Sequence, residues 1–213
     1  MKNTVVKVLV IASVLSPLAA FAQGAKAPPT TATYIMKQDI DKVGATEQSA
    51  STRDENVKIV DIGNENFAVG LVHRGTTRTP PPAASGGGAA AQAQACGRTM
   101  ATLPPGGTPG GITHDMQTEG YYITSGGGTM FTDGYIVNGR HNNQDAAGGP
   151  NGPTCGGMAY GVKKVSVKVG DVVIVPPGVV HGWADIPDHV DYLSFRPSQN
   201  ELQAGWVNPT IAK

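Results

Sequence analysis

Short stretches in which hydrophobic and polar residues alternate run along most of this chain, each closed by glycine, proline or an Asn/Asp turn. A period of two marks strands with one buried face. Residues 57–62 alternate and end at Asn64-Glu65-Asn66, and residues 67–74 follow as their hairpin partner. Residues 98–103 predict another strand, and 104–111 a glycine-proline turn. Residues 113–124 begin polar and run into an aromatic strand. Gly126-Gly127-Gly128 predicts a reversal, with 129–132 pairing back, and Asp133-Gly134 is a hairpin signal before 135–137. Residues 162–169 alternate valine with lysine, giving one wet face. Residues 172–175 are a β-branched run, and Pro176-Pro177-Gly178 is a turn that cannot continue a central ladder. On the strand that follows, Val179, His181 and Trp183 share one face. Residues 190–195 supply a closing strand. The only predicted helix is short, over 36–43. About ten short strands without an internal repeat predict an all-β sandwich or jelly-roll barrel.

Composition narrows the function. Charged residues make up 15% of the 213 positions and the net charge is zero, which argues against a nucleic-acid binder that must neutralise phosphates. The N-terminus carries Lys2 and Lys7, an apolar run over 8–19 and the small-residue site Ala20-Phe21-Ala22. That order predicts a signal peptide over 1–22, cleaved before Gln23, and an exported chain, periplasmic or secreted. The run is too short for a stable membrane span. A leader over 23–56 holds the short helix, the β-barrel is expected over 57–205, and a tail over 206–213 packs Trp206 outside. Residues 76–95 and 140–157 are rich in glycine and small or polar residues and predict mobile loops inside the barrel. Cys96 and Cys155 can form a disulfide, stay free thiols or ligate a metal. The predicted compartment favours the disulfide, and the lack of a C-x-x-C pattern counts against ligation.

The candidate chemistry lies in His114, Glu119 and His181. Two imidazoles and a carboxylate suit Fe, Mn, Ni, Cu or Zn and can leave coordination positions open. Each histidine has a plainer reading as a hydrogen-bonded core residue. His114-x4-Glu119 followed by Tyr121-Tyr122-Ile123-Thr124-Ser125-Gly126 resembles the first cupin motif, and Gly170-Asp171 through Pro176-Pro177-Gly178-Val179-Val180-His181 resembles the second. The likeness covers roughly 57–197 and is stronger in the second motif. Ile112 stands where cupins usually place a further histidine, and the segment between the motifs is long. The resemblance implies a cupin-type jelly-roll with a divalent transition metal held by His114, Glu119 and His181. Gln117, Asp115 or His141 could add a fourth contact.

Glu119 and Tyr121 are the candidate catalytic residues, and Trp183 and Met116 the candidate substrate pocket. The function implied is metal-dependent chemistry on a small oxygen-bearing substrate, of dioxygenase, isomerase or lyase type. The missing histidine motivates the alternative, a non-catalytic binder of a small molecule or sugar with a degenerate metal site. A structural, envelope-associated protein is a third reading. A homodimer is implied only by the resemblance. His73 reads as a strand-edge residue and His189 as a loop residue. Residue order alone proposes no Ser-His-Asp set.

Overall fold

The computed structural model describes residues 29–45, 52–78, 94–142, 151–199 and 201–212. The predicted export signal, residues 23–28 and 46–51 of the leader, and the centres of both glycine-rich segments lie outside these residues. One short helix, α1 (Lys37–Gly44), precedes eleven strands. These are β1 (Thr52–Asp61), β2 (Asn66–Gly75), β3 (Ala95–Cys96), β4 (Thr108–His114), β5 (Glu119–Thr132), β6 (Tyr135–Asn142), β7 (Thr154–Tyr160), β8 (Lys163–Lys168), β9 (Val172–Val175), β10 (His181–Asp185) and β11 (His189–Ser198). Every strand-to-strand pairing is antiparallel.

The strands form two sheets joined through β5, a jelly-roll arrangement. The first half of β5 pairs with β9 on one side and β11 on the other, and β11 continues to β2 and β1. Its second half pairs with β8 and β10, and β10 leads through β4 and β7 to β6 and β3. The strand path ends at β1 and β3, so the barrel is not closed. The main core gathers Val72, Tyr121, Ile123, Met130, Val167, Val175, Ile186, Val190 and Tyr192, with Val179 and Trp183 packed against it. The shared face expected for Val179 and Trp183 is therefore present. A second cluster contains Phe131, Ile136, Cys155, Ala159 and Val180. Met130 and Phe131 fall in different clusters because successive side chains point to opposite faces.

Three expectations need correction. Gly126-Gly127-Gly128 does not reverse the chain: residues 129–132 continue β5. The glycines are there because other backbones come close. A Cβ at Gly127 would lie 2.6 Å from the Val167 carbonyl oxygen, and one at Gly128 2.5 Å from that of Asp185. The strand expected over 98–103 reduces to β3, just upstream, and a single bridge between Arg98 and Val137. The loop expected over 140–157 is shorter, because Arg140–Asn142 end β6 and Thr154–Gly157 begin β7. Gly156 and Gly157, which suggested a loop, are strand glycines, and Gly157 and the neighbouring Gly139 of β6 leave no room for a side chain. A Cβ at Gly139 would sit 2.9 Å from Cys155 Sγ, and one at Gly157 2.8 Å from Ile136 Cγ2. Trp206 packs on Ile59, Ala68 and Leu202, outside the main core. No helix among the described residues is long and apolar enough to cross a membrane.

Candidate metal centre

Three strand ends converge in the interior. His114 ends β4, Glu119 begins β5 and His181 begins β10. The Pro176-Pro177-Gly178 turn couples two of them. Gly178 adopts a left-handed φ of 75° and donates its N–H to the His114 carbonyl at 2.8 Å. That turn delivers the chain to His181, whose register partners are Ile112 on β4 and Thr132 on β5. Ile112, at the position where the resemblance expected a histidine, thus sits opposite His181.

The three residues are 3%, 2% and 3% exposed, so the cluster is sealed from bulk solvent. Glu119 Oε2 lies 3.3 Å from His114 Nε2 and 3.2 Å from His181 Nε2, and one ligand atom from each residue lies within 4.8 Å of the others. The far side of each ring is fixed. His114 Nδ1 faces the Asn151 carbonyl at 3.1 Å and His181 Nδ1 faces the Val179 carbonyl at 3.0 Å. A carbonyl oxygen can only accept, so each Nδ1 donates to its carbonyl and each ring turns its Nε2 towards Glu119 Oε2. Outer partners of this kind orient metal-binding imidazoles.

Arg196 was not singled out from the sequence. It is 1% exposed and donates from Nε to Glu119 Oε1 at 2.8 Å and from Nη2 to Asp54 Oδ1 at 2.7 Å; its Nη1 reaches Asn56 Oδ1 at 3.3 Å. Gly70 leaves room for it, since a Cβ there would lie 3.1 Å from Arg196 Nη1. The available signal was the phase of β11, where every second residue from Val190 to Ser198 is buried and Arg196 falls in the inward set. Burial opposes the Arg196 charge, but the carboxylates of Asp54 and Glu119 outweigh it and raise its pKa far above the ordinary value.

Burial would also raise the Glu119 carboxyl. The Arg196 charge and hydrogen bonds from His114 and His181 hold it well below the usual carboxylate range. Tyr121 donates its hydroxyl to Glu119 Oε2, and burial and the Glu119 charge push the phenol well above its usual value, so it stays protonated. Trp183 is half-buried near Tyr192, with ring centroids 6.1 Å apart. Met116 is 49% exposed. Ser194, paired with Tyr121 in register, has a buried hydroxyl with no hydrogen-bond partner among the described residues. Of the proposed fourth contacts, Asp115 and His141 lie 3.9 Å from each other, not in the cluster. Cys96 and Cys155 form a disulfide, which settles the three readings of that pair.

No family model matches the sequence, and no curated protein does. Solved structures do. One is a double-stranded β-helix protein from Klebsiella pneumoniae, at 12% identity and TM-score 0.37, covering 80% of this chain and 94% of that one. Another is a cupin protein from Bacteroides fragilis, at 15% identity and TM-score 0.34, covering 79% and 94%. A third match is Peruvianin-I, a cysteine peptidase from Thevetia peruviana latex, at 13% identity and TM-score 0.36, covering 93% and 94%. All three scores fall below 0.5, so the fold rests on this chain's own strand pairings and the site on its own side chains.

Proposed function

We propose that His114, Glu119 and His181 hold a divalent transition metal (Fe, Mn, Ni, Cu or Zn) and that the chain acts there on a small oxygen-bearing organic substrate. The observation that carries this reading is the placement of two Nε2 atoms about one Glu119 oxygen. Ligands at ~2.0–2.2 Å from one metal lie roughly 3–3.5 Å apart, and the 3.2 and 3.3 Å spacings match. Such a metal would act as a Lewis acid or an oxygen-activating centre.

The chain's own residues do the rest. Arg196 holds Glu119 ionised and fixed through Oε1. Tyr121 keeps a proton beside Oε2, available to an oxygen atom of the substrate. Ser194 offers a free hydroxyl on the same strand face, and Trp183 and Met116 shape the approach. The Cys96–Cys155 disulfide is compatible with the export that Ala20-Phe21-Ala22 predicts, to the periplasm or beyond.

A second reading, a non-catalytic small-molecule or sugar binder, is favoured by one observation: Arg196 and Tyr121 already meet both oxygens of Glu119. Metal analysis of protein purified from its native compartment tests the first reading. Native chain should carry a stoichiometric metal, and His181→Ala should carry none. Full occupancy in His181→Ala refutes the ligand assignment, and ligand binding that persists in strong chelator selects the second reading.

A further inference from the structure

The outer face of the first sheet carries a second group of chemistry-bearing side chains. In β11, Val190 and Tyr192 are buried in the core, so His189 and Asp191 project to the opposite face. Register places Asp191 beside His73 on β2 and Ser125 on β5, and His73 beside Arg53 on β1. Ser125 Oγ lies 2.8 Å from His189 Nε2, and His189 Nδ1 lies 2.7 Å from Asp188 Oδ2. With the ring proton on Nδ1 donating to Asp188, Nε2 is left to accept the Ser125 proton. This is the order of a nucleophile, a base and an orienting carboxylate. Asp191 Oδ2 lies 3.8 Å from the same Nε2, while its Oδ1 pairs with His73 Nδ1 at 2.6 Å.

Two further features fit. Gly126, directly after Ser125, has a φ of 62°, and a Cβ there would lie 2.0 Å from the His189 carbonyl oxygen. Only glycine permits the approach that brings Ser125 to His189. A cleft of about 590 Å³ also opens beside the group, lined in part by Ile40, Leu71, Arg53, His73, Thr124 and Asp191.

We propose that Ser125, His189 and Asp188 form a hydrolytic site for activated carboxylic esters, with the acyl part seated in this cleft. Ser125 Oγ bonds to the ester carbonyl carbon and its proton passes to His189 Nε2. The bond to the leaving oxygen breaks, and that oxygen takes the proton. Water then gives a proton to Nε2, attacks the acyl-serine and releases the acid, and the proton returns to Ser125 Oγ. Aryl esters suit the site because a good leaving group lowers the demand on the protein. No metal takes part.

The test uses the full chain, with and without chelator, a fluorophosphonate probe, and 4-nitrophenyl acetate. Peptide mass mapping should place the phosphonyl adduct on Ser125, and turnover should survive chelation. Ser125→Ala should lose the adduct and release nitrophenol at the buffer rate. Asp188→Asn should slow turnover and shift its pH profile while keeping the native thermal transition. An unlabelled Ser125 in the native chain, or native turnover in Ser125→Ala, overturns the proposal. If Ser125→Ala does not fold, the adduct on the native chain decides.

Discussion

Replacing Arg196 with methionine tests the energetics of the interior most directly. The side chain is fully buried and joins two carboxylates, through the 2.8 Å bond to Glu119 and the 2.7 Å bond to Asp54. Hydrogen bonds to charged groups contribute ~1.5–3 kcal/mol each, so the two together give ~3–6 kcal/mol. Removing one partner of a buried ion pair costs ~3–5 kcal/mol by a separate route, because the other charge is left uncompensated. The ranges overlap, and the expected loss is ~3–5 kcal/mol. At ~2–4 °C per kcal/mol for a chain of this size, Tm falls by ~6–20 °C. Urea denaturation under oxidising conditions reads the loss as a lower midpoint at unchanged m. The double variant Arg196→Met with Glu119→Gln should recover part of it, since one stranded charge is then gone. A single-variant loss below ~1 kcal/mol, or a double variant no better than the sum of the singles, would refute the claim that this pairing holds the two carboxylates in place.

Other outcomes follow from the same structure. Converting Cys96 and Cys155 to serine opens a loop spanning 59 residues and should cost about 4 kcal/mol, measured as a lower denaturation midpoint. Burial, opposed by Arg74 and reinforced by Asp54 and Glu119, raises the Tyr192 phenol above its usual value. The folded chain therefore holds that proton when the unfolded chain has lost it. The stabilisation is complete below the unfolded value of ~10 and is lost as pH rises through the folded one; Tyr192→Phe should flatten this alkaline decline in a melting series. Gly126→Ala forces a left-handed backbone on a residue with a side chain and drives its Cβ into the His189 carbonyl, so a loss of at least ~1 kcal/mol is expected in thermal melts.

The sequence was most legible where one period and one turn agreed. The β1–β2 hairpin, β8, β9 and β11 all carry alternating or β-branched residues bounded by turn formers, and all formed. The His114, Glu119 and His181 cluster was readable because each member stands at a strand end marked by a turn. Glycine misled the reading twice. Gly126-Gly127-Gly128 and Gly156-Gly157 look like loops, but they sit in strands, and a neighbouring backbone or side chain leaves no space beside Gly126, Gly127, Gly128 and Gly157. Propensity describes a residue's freedom and cannot report a neighbour contributed by a distant segment. Arg196 was missed for the same reason. Its partners Glu119 and Asp54 are 77 and 142 positions away, and only the inward phase of β11 hinted at a buried charge. The Ser125–His189 contact likewise depends on a bulge between β5 and β11 that periodicity does not reveal.

The position of β11 has a consequence for the order of events during synthesis. It lies between β2 and β5 in the first sheet, yet it is the last strand to leave the ribosome. Until it arrives, the β1–β2 hairpin has no partner on its inner edge, and Glu119 has no guanidinium opposite it. Domains ordinarily acquire structure as their N-terminal parts emerge. Here the first sheet cannot be completed until β11 has been made, whatever the strands before it have already paired with.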